Sequence, residues 1–242
     1  MTRQDKTPAL VAWCGYLALA LLLALPLSVL TVRSGVWELG LLLYALASLG
    51  STVLLILFIV LLLLPRFARW RARIGGRALL TLPGVLALLV LTLTGGDAPR
   101  IHDITTDTSD PPIFVTAAAV RGTGANTLDI KPEVIEQQKA AYPDLGTLHT
   151  SRDADAAFTR ALQVARELGW EIYHEDRAAG VIEAVDTTPI MGFKDDVVIR
   201  VSDATDGAHL DLRSVSRIGQ GDIGANAKRI RRFIEAFERK GQ

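Results

Sequence analysis

The chain has 242 residues, with 26 Lys/Arg balanced by 26 Asp/Glu, four histidines and one cysteine, which allows one or two domains and excludes a disulfide framework. The zero net charge is a cancellation: residues 1–96 carry eight basic residues against Asp5 and Glu38, leaving 18 of the 26 basic and 24 of the 26 acidic residues to 97–242. A +6 membrane region (1–96) is thus joined to a −6 water-soluble region (97–242), too acidic for nucleic acid to be its expected partner.

Three apolar runs fill the first region. Residues 10–30 supply about the 20 apolar residues a transmembrane helix needs, broken only by Pro26, which bundle packing tolerates. This run is too long for a signal-peptide core and lacks a small-x-small cleavage site after it, so it reads as an uncleaved helix. Cys14 follows the bulky Trp13 and reads as a small apolar residue of the span, not as a lipidation site. Residues 37–64 form the second run and 78–94 the third, which is short and contains Pro83-Gly84. Trp13, Trp37 and Trp70 stand at run ends, where indole rings settle among headgroups.

Between the second and third runs lies Pro65 to Arg77, with Arg66, Arg69, Arg71, Arg73 and Arg77 and no acid. Read as a loop, it belongs on the cytoplasmic side, because positive charge beside a span resists translocation. Arg3 and Lys6 hold the N-terminus on that side too. An odd number of spans then delivers residues 97–242 to the periplasmic side of a bacterial inner membrane.

Gly95-Gly96-Asp97-Ala98-Pro99 has the composition of a linker. Residues 100–150 show weak periodicity and read as extended or irregular, with a short helix near Pro132 to Ala141. From Ser151 the pattern is regular: a helix capped by Ser151 or Asp153 and stopped at Gly169, a hairpin 170–176/180–187, and a second hairpin 196–202/208–216 turning at Asp206-Gly207. A last helix, 224–239, places Ala227, Ile230, Ile234 and Phe237 on one stripe. Two amphipathic helices over the apolar face of a four-stranded antiparallel sheet make a two-layer α+β domain.

Gly219 to Gly224 matches G-x-G-x-x-G after a strand and before a helix. The following helix leads to no second parallel strand, so a βαβ unit cannot form, and Asp222 stands where a pyrophosphate would sit. It reads as a turn with Asp222 capping the last helix, and no nicotinamide or flavin cofactor is expected. An anion nest using Arg213, Arg217 and the helix N-terminus is the other reading. His102, Asp103 and Asp107 are candidates for a base–orienter pair or a metal, yet His149, His174 and His209 are scattered without ligand spacing, and no metal is expected. Asp195-Asp196 at a strand start are turn or ion-pair residues before they are acid/base groups. Arg200 should lie opposite or diagonal to Asp211 on the non-core face, with Arg213 near, as a charge cluster that becomes a candidate site only if residues 100–150 cover it. No Ser-His-Asp order, P-loop or HExxH occurs.

IHDITTD (101–107), Pro111-Pro112 with Phe114, Tyr142-Pro143, Trp170, GFKDDV (192–197), RSVSR (213–217) and GANAKRIR (224–231) together resemble the bacterial and plant family called domain of unknown function 1499. The resemblance covers residues 100–240, implies that the soluble region is one unit, and supplies no reaction. Gln220-Gly221 departs from the basic or serine residues it would lead one to expect. The leading expectation is a polytopic inner-membrane protein presenting a non-catalytic domain for binding or assembly with an envelope protein or lipid partner. The alternative is a membrane-surface hydrolase that gathers His102, Asp103, Asp107 and Asp195 or Asp196 into one pocket. Transport is disfavoured because the spans carry no ionisable residue deep in the bilayer.

Overall fold

The computed structural model describes residues 6–95 and 98–239. Arg3 and the Gly96-Asp97 step of the linker lie outside them. The chain divides into two units, Met1–Gly96 and Asp97–Gln242.

The first unit is helical. Among the described residues, three helical segments are long and apolar enough to cross a membrane: Ala9–Arg33 (α1), Trp37–Leu63 (α2) and the run Pro65–Leu93. The last comprises a 3-10 turn Pro65–Trp70, α3 (Arg71–Ala78), a 3-10 turn Leu79–Thr81 and α4 (Leu82–Gly95). The arginine stretch expected as a loop is therefore wound into helix, and the third apolar segment begins before residue 78. The cause is a second signal within that stretch. Phe67, Trp70, Ile74 and Ala78 recur at helical spacing and are buried against Val11, Cys14 and Ala18 of α1 and Phe58 and Leu61 of α2. Two of the arginines use their length to reach the end of the bundle: Arg71 Nε donates to the Leu62 carbonyl at 3.1 Å and Arg73 Nη1 to Thr7 Oγ1 at 2.8 Å. Small residues set the helix approach. A Cβ on Gly40 would stand 2.7 Å from the Val32 backbone nitrogen, and one on Gly84 2.5 Å from Ser51 Cβ.

The second unit is an antiparallel sheet with helices. Its strands are β1 (Asp103–Thr105), β2 (Leu148–Thr150), β3 (Glu171–Asp176), β4 (Val181–Thr187), β5 (Lys194–Ala204) and β6 (Gly207–Ser216). They run in the order β1-β6-β5-β4-β3, and β2 also pairs with β6, beyond the end of β1. The sheet thus has six strands where four were expected. The extra two are three-residue strands from the segment read as irregular, too short to show an alternation of their own. The long hairpin β5/β6 turns at Thr205-Asp206.

On one face, α7 (Ala154–Glu167) and α8 (Ala225–Glu238) bury Phe158, Leu162, Ile230, Phe233 and Phe237 against Ile182, Val197, Ile199, Leu210 and Leu212. Trp170 stacks on Phe233 at 5.5 Å. Asp153 caps α7, accepting the Ala156 N–H at 2.8 Å, and Gly169 (φ 81°) ends it as expected. Asp222 accepts the N–H groups of Gly224 (2.8 Å) and Asn226 (2.7 Å) at the start of α8. The edge of β1 is closed by α6 (Pro132–Ala141), whose Gln138 side chain imitates a strand, accepting the Thr105 N–H at 2.9 Å and donating to the Thr105 carbonyl.

Candidate functional site

The sheet face turned away from α7 and α8 is polar, and this is where most of the candidate residues lie. Strand alternation places Asp196, Val198 and Arg200 of β5 on that face, beside Asp211, Arg213 and Val215 of β6 and Glu183 of β4. The register puts Arg200 directly opposite Asp211. The segment 106–130 crosses this face as a strap that includes the single turn α5 (Ala117–Val120). The charges are therefore covered, and each is met by a partner.

Asp103 and Arg213 form a bidentate pair, with Nε–Oδ1 at 3.0 Å and Nη2–Oδ2 at 2.7 Å, and each side chain is 5 % exposed. Arg213 also donates to the carbonyls of Pro112 and Leu128 in the strap, and its guanidinium lies 5.5 Å from the centre of the Phe114 ring. Arg200 reaches Asp107 (3.0 Å), Asp110 (2.8 Å) and Asp211 (3.1 Å). Asp211 in turn accepts the hydroxyls of Thr106 and Thr147. Burial alone would raise the Asp107 carboxyl, but the N–H groups of Asp110 and Ser109 and the Arg200 charge outweigh it and hold the pKa below the ordinary aspartate value.

Asp196 is fully buried between two guanidinium groups. Arg217 binds both of its oxygens, at 2.7 and 3.0 Å, and Arg121 Nε stands 2.8 Å away as a charge contact without hydrogen-bond alignment. Burial and the adjacent Asp196 charge push the Tyr173 hydroxyl, 3.4 Å from Asp196, far above the ordinary tyrosine pKa. Glu183, also fully buried, accepts the backbone N–H groups of Val115, Thr116 and Ala117 and so pins the strap to β4.

Asp195 belongs to a different network. Neighbouring residues of a strand point to opposite faces, so it faces α8 while Asp196 faces the strap. Arg229 of α8 joins Asp195 (2.5 Å) to Asp186 (2.7 Å), beside Asn226, Ser214 and Ser216. Burial raises the nearby Asp222 carboxyl, partly offset by the two N–H groups it accepts; the Asp195 charge raises it further and the Arg229 charge lowers it.

His102 meets the α8-side network only through its carbonyl, which accepts the Ser216 N–H and Asn226 Nδ2 (3.1 Å). The residue lines a cleft of about 290 Å³ with Arg100, Asp103, Asn126 and Lys131. Asp107 and Asp195 do not line it. The residues considered together for hydrolysis are thus distributed among the cleft, the strap-side network and the α8-side network. Among the described residues no group of three or more His, Cys, Asp or Glu side chains is placed to hold a metal. Arg213 and Arg217 of the suggested anion nest are both engaged with carboxylates.

Sequence reasoning did not single out Glu183, Arg121, Arg229 or Asn226. Glu183 carried a legible signal, an acid between Ile182 and Ala184 within the otherwise apolar run Val181 to Val185. Arg121 carried none, since its partner Asp196 is far away in sequence.

The model of a family described as a protein of unknown function (DUF1499) matches residues 103–237. No curated protein matches the chain.

Proposed function

The chain belongs to the DUF1499 family, and from that premise we propose that it is an inner-membrane protein whose C-terminal unit is a non-catalytic binding or assembly module held on the periplasmic side. The observation that carries the non-catalytic reading is the pairing described above. Of the candidate residues, Asp103, Asp107, Asp195, Asp196, Arg200, Arg213 and Arg217 all spend their charge on partners within the domain. A general acid or base must be free to reach a substrate proton, whereas a carboxylate held by one or two guanidinium groups serves to fix strand, strap and helix.

The orientation rests on charge. Thr7 just before α1 and Leu62 at the end of α2 take hydrogen bonds from Arg73 and Arg71, so these two arginines sit at one end of the helical unit. The positive-inside rule favours that end in the cytoplasm. The helical run 65–95, which begins there and is longer than the apolar stretch read from sequence, supports a third crossing. Three crossings exceed what a tether requires, which supports a lipid or envelope-protein partner for the helices themselves.

A pair of C-terminal fusions tests the orientation. Alkaline phosphatase, which matures only outside the cytoplasm, should be active, and a cytoplasm-dependent fluorescent reporter should be dark. The opposite pattern in well-expressed fusions would sink the reading.

A further inference from the structure

We propose that the cleft beside β1 binds the phosphate group of a small phosphate ester. It deepens the binding role proposed above and rests on that reading. The first observation is a cluster of partnerless cations. Arg121, Arg200, Arg213, Arg217, Arg229 and Arg231 each hold a carboxylate, whereas the side chains of Arg100, Arg152 and Arg232 bond no carboxylate or carbonyl among the described residues, and of these three Arg100 lines a cleft with two further basic residues. Among the described residues, none is hydrogen-bonded to or ion-paired with the side chains of Arg100, His102 or Lys131, and these three line the same cleft. In a region of charge −6, two unspent cations and an imidazole at one concavity call for an anion.

The walls are built rather than loose. Asn126 Nδ2 donates to the carbonyls of Gly219 (2.8 Å) and Ser216 (3.0 Å), tying the strap to the loop after β6. The Asp222 N–H donates to the Ile101 carbonyl at 3.2 Å. Gly221 passes so near the chain that a Cβ there would stand 3.2 Å from Arg100 Cα. A site whose walls are already fixed loses less entropy on binding.

Size and chemistry narrow the class. About 290 Å³ is at the lower limit for ligand sites, enough for a headgroup-sized molecule and too little for a nucleotide with its base and sugar enclosed. A guanidinium fork and a compact ammonium suit phosphate oxygens, and imidazole adds an N–H donor. The cleft also contains two carboxylates. Asp103 is neutralised by Arg213, while Asp129, at the exposed rim, accepts only the Thr127 hydroxyl at 3.0 Å. Asp129 disfavours a second anionic group and offers an acceptor to a hydroxyl or ammonium, as in glycerol phosphate or phosphoethanolamine. Such a group comes either free or as the headgroup of a phospholipid.

The test is calorimetric titration of the full-length protein in uncharged detergent at low salt. One arm uses glycerol 1-phosphate and phosphoethanolamine, a second uses dihexanoyl phosphatidylglycerol and phosphatidylethanolamine, and acetate is the carboxylate control. Saturable binding in at least one arm is expected, weakened at least tenfold in an Arg100→Gln/Lys131→Gln variant. Both replaced side chains are exposed, and unchanged amide exchange across the sheet certifies the variant's fold. Tighter binding in the lipid arm assigns a headgroup, and binding confined to the first arm assigns a free ester. No saturable binding in either arm, binding indifferent to the double variant, or acetate bound equally well would overturn the proposal. Release of inorganic phosphate from a bound ester would instead overturn the non-catalytic reading and leave the phosphate site standing.

Discussion

Glu183 accepts the backbone N–H of Ala117 at 3.0 Å, joining the middle of β4 to the strap that crosses the polar face of the sheet. The carboxylate also takes the N–H groups of Val115 and Thr116, so one fully buried side chain satisfies three backbone donors. Replacing it by alanine leaves those donors without an acceptor, at about 1–3 kcal/mol. Hydrogen exchange read by mass spectrometry should show residues 115–120 exchanging faster in Glu183→Ala, with α7 and α8 unchanged. Equal protection of the strap in variant and parent would contradict this role.

Two aspartates should respond to pH in opposite directions. The folded-state pKa of Asp107 is depressed, so its contribution to stability is present above the ordinary value of about 3.9 and is lost as pH falls through the folded value. That of Asp222 is raised by burial, so its contribution is present below about 3.9 and is lost as pH rises through the folded value. Urea unfolding of Asp107→Asn and Asp222→Asn against the parent, from pH 3 to pH 7, separates them. As pH rises Asp107→Asn should lose ground to the parent and Asp222→Asn should gain it, and parallel trends would refute one assignment.

In the helical unit, Gly84 lies against Ser51, and no side chain can be added there without displacing α2 or α4. Gly84→Val should cost about 1–3 kcal/mol of overpacking. Spin labels on the two helices should report a wider separation, while Gly75→Ala, which meets nothing within 4 Å, should leave it unchanged. Equal separations in both variants would mean that the small residues do not set the approach.

Local patterns carried much of this fold. The 3.6-residue stripe of α8 and the alternation in β5 and β6 could be read directly, and together they placed Arg200 across from Asp211. A short helix near Pro132 to Ala141 was also expected, and in the structure a proline stands in its first turn. The rest depends on distant partners. β1 has three residues and is held by β6, by Gln138 and by Arg213, none of them near it in sequence. Likewise the arginines of Pro65 to Arg77 dominated the reading of that stretch, although the burial of Phe67, Trp70 and Ile74 decides its helical form.

The central claim is that the paired charges hold the domain together and do not serve a reaction. Asp103 and Arg213 test it most directly, because both are buried and each is the other's charge partner. Thermal unfolding of the detergent-solubilised protein should show Asp103→Leu and Arg213→Met each losing about 3–5 kcal/mol, since each strands a buried charge. The double variant should recover most of that loss, because well-packed apolar groups can replace a buried ion pair at little cost. Single variants as stable as the parent, or more so, would contradict the claim, since that is the behaviour of residues kept for function at the expense of stability.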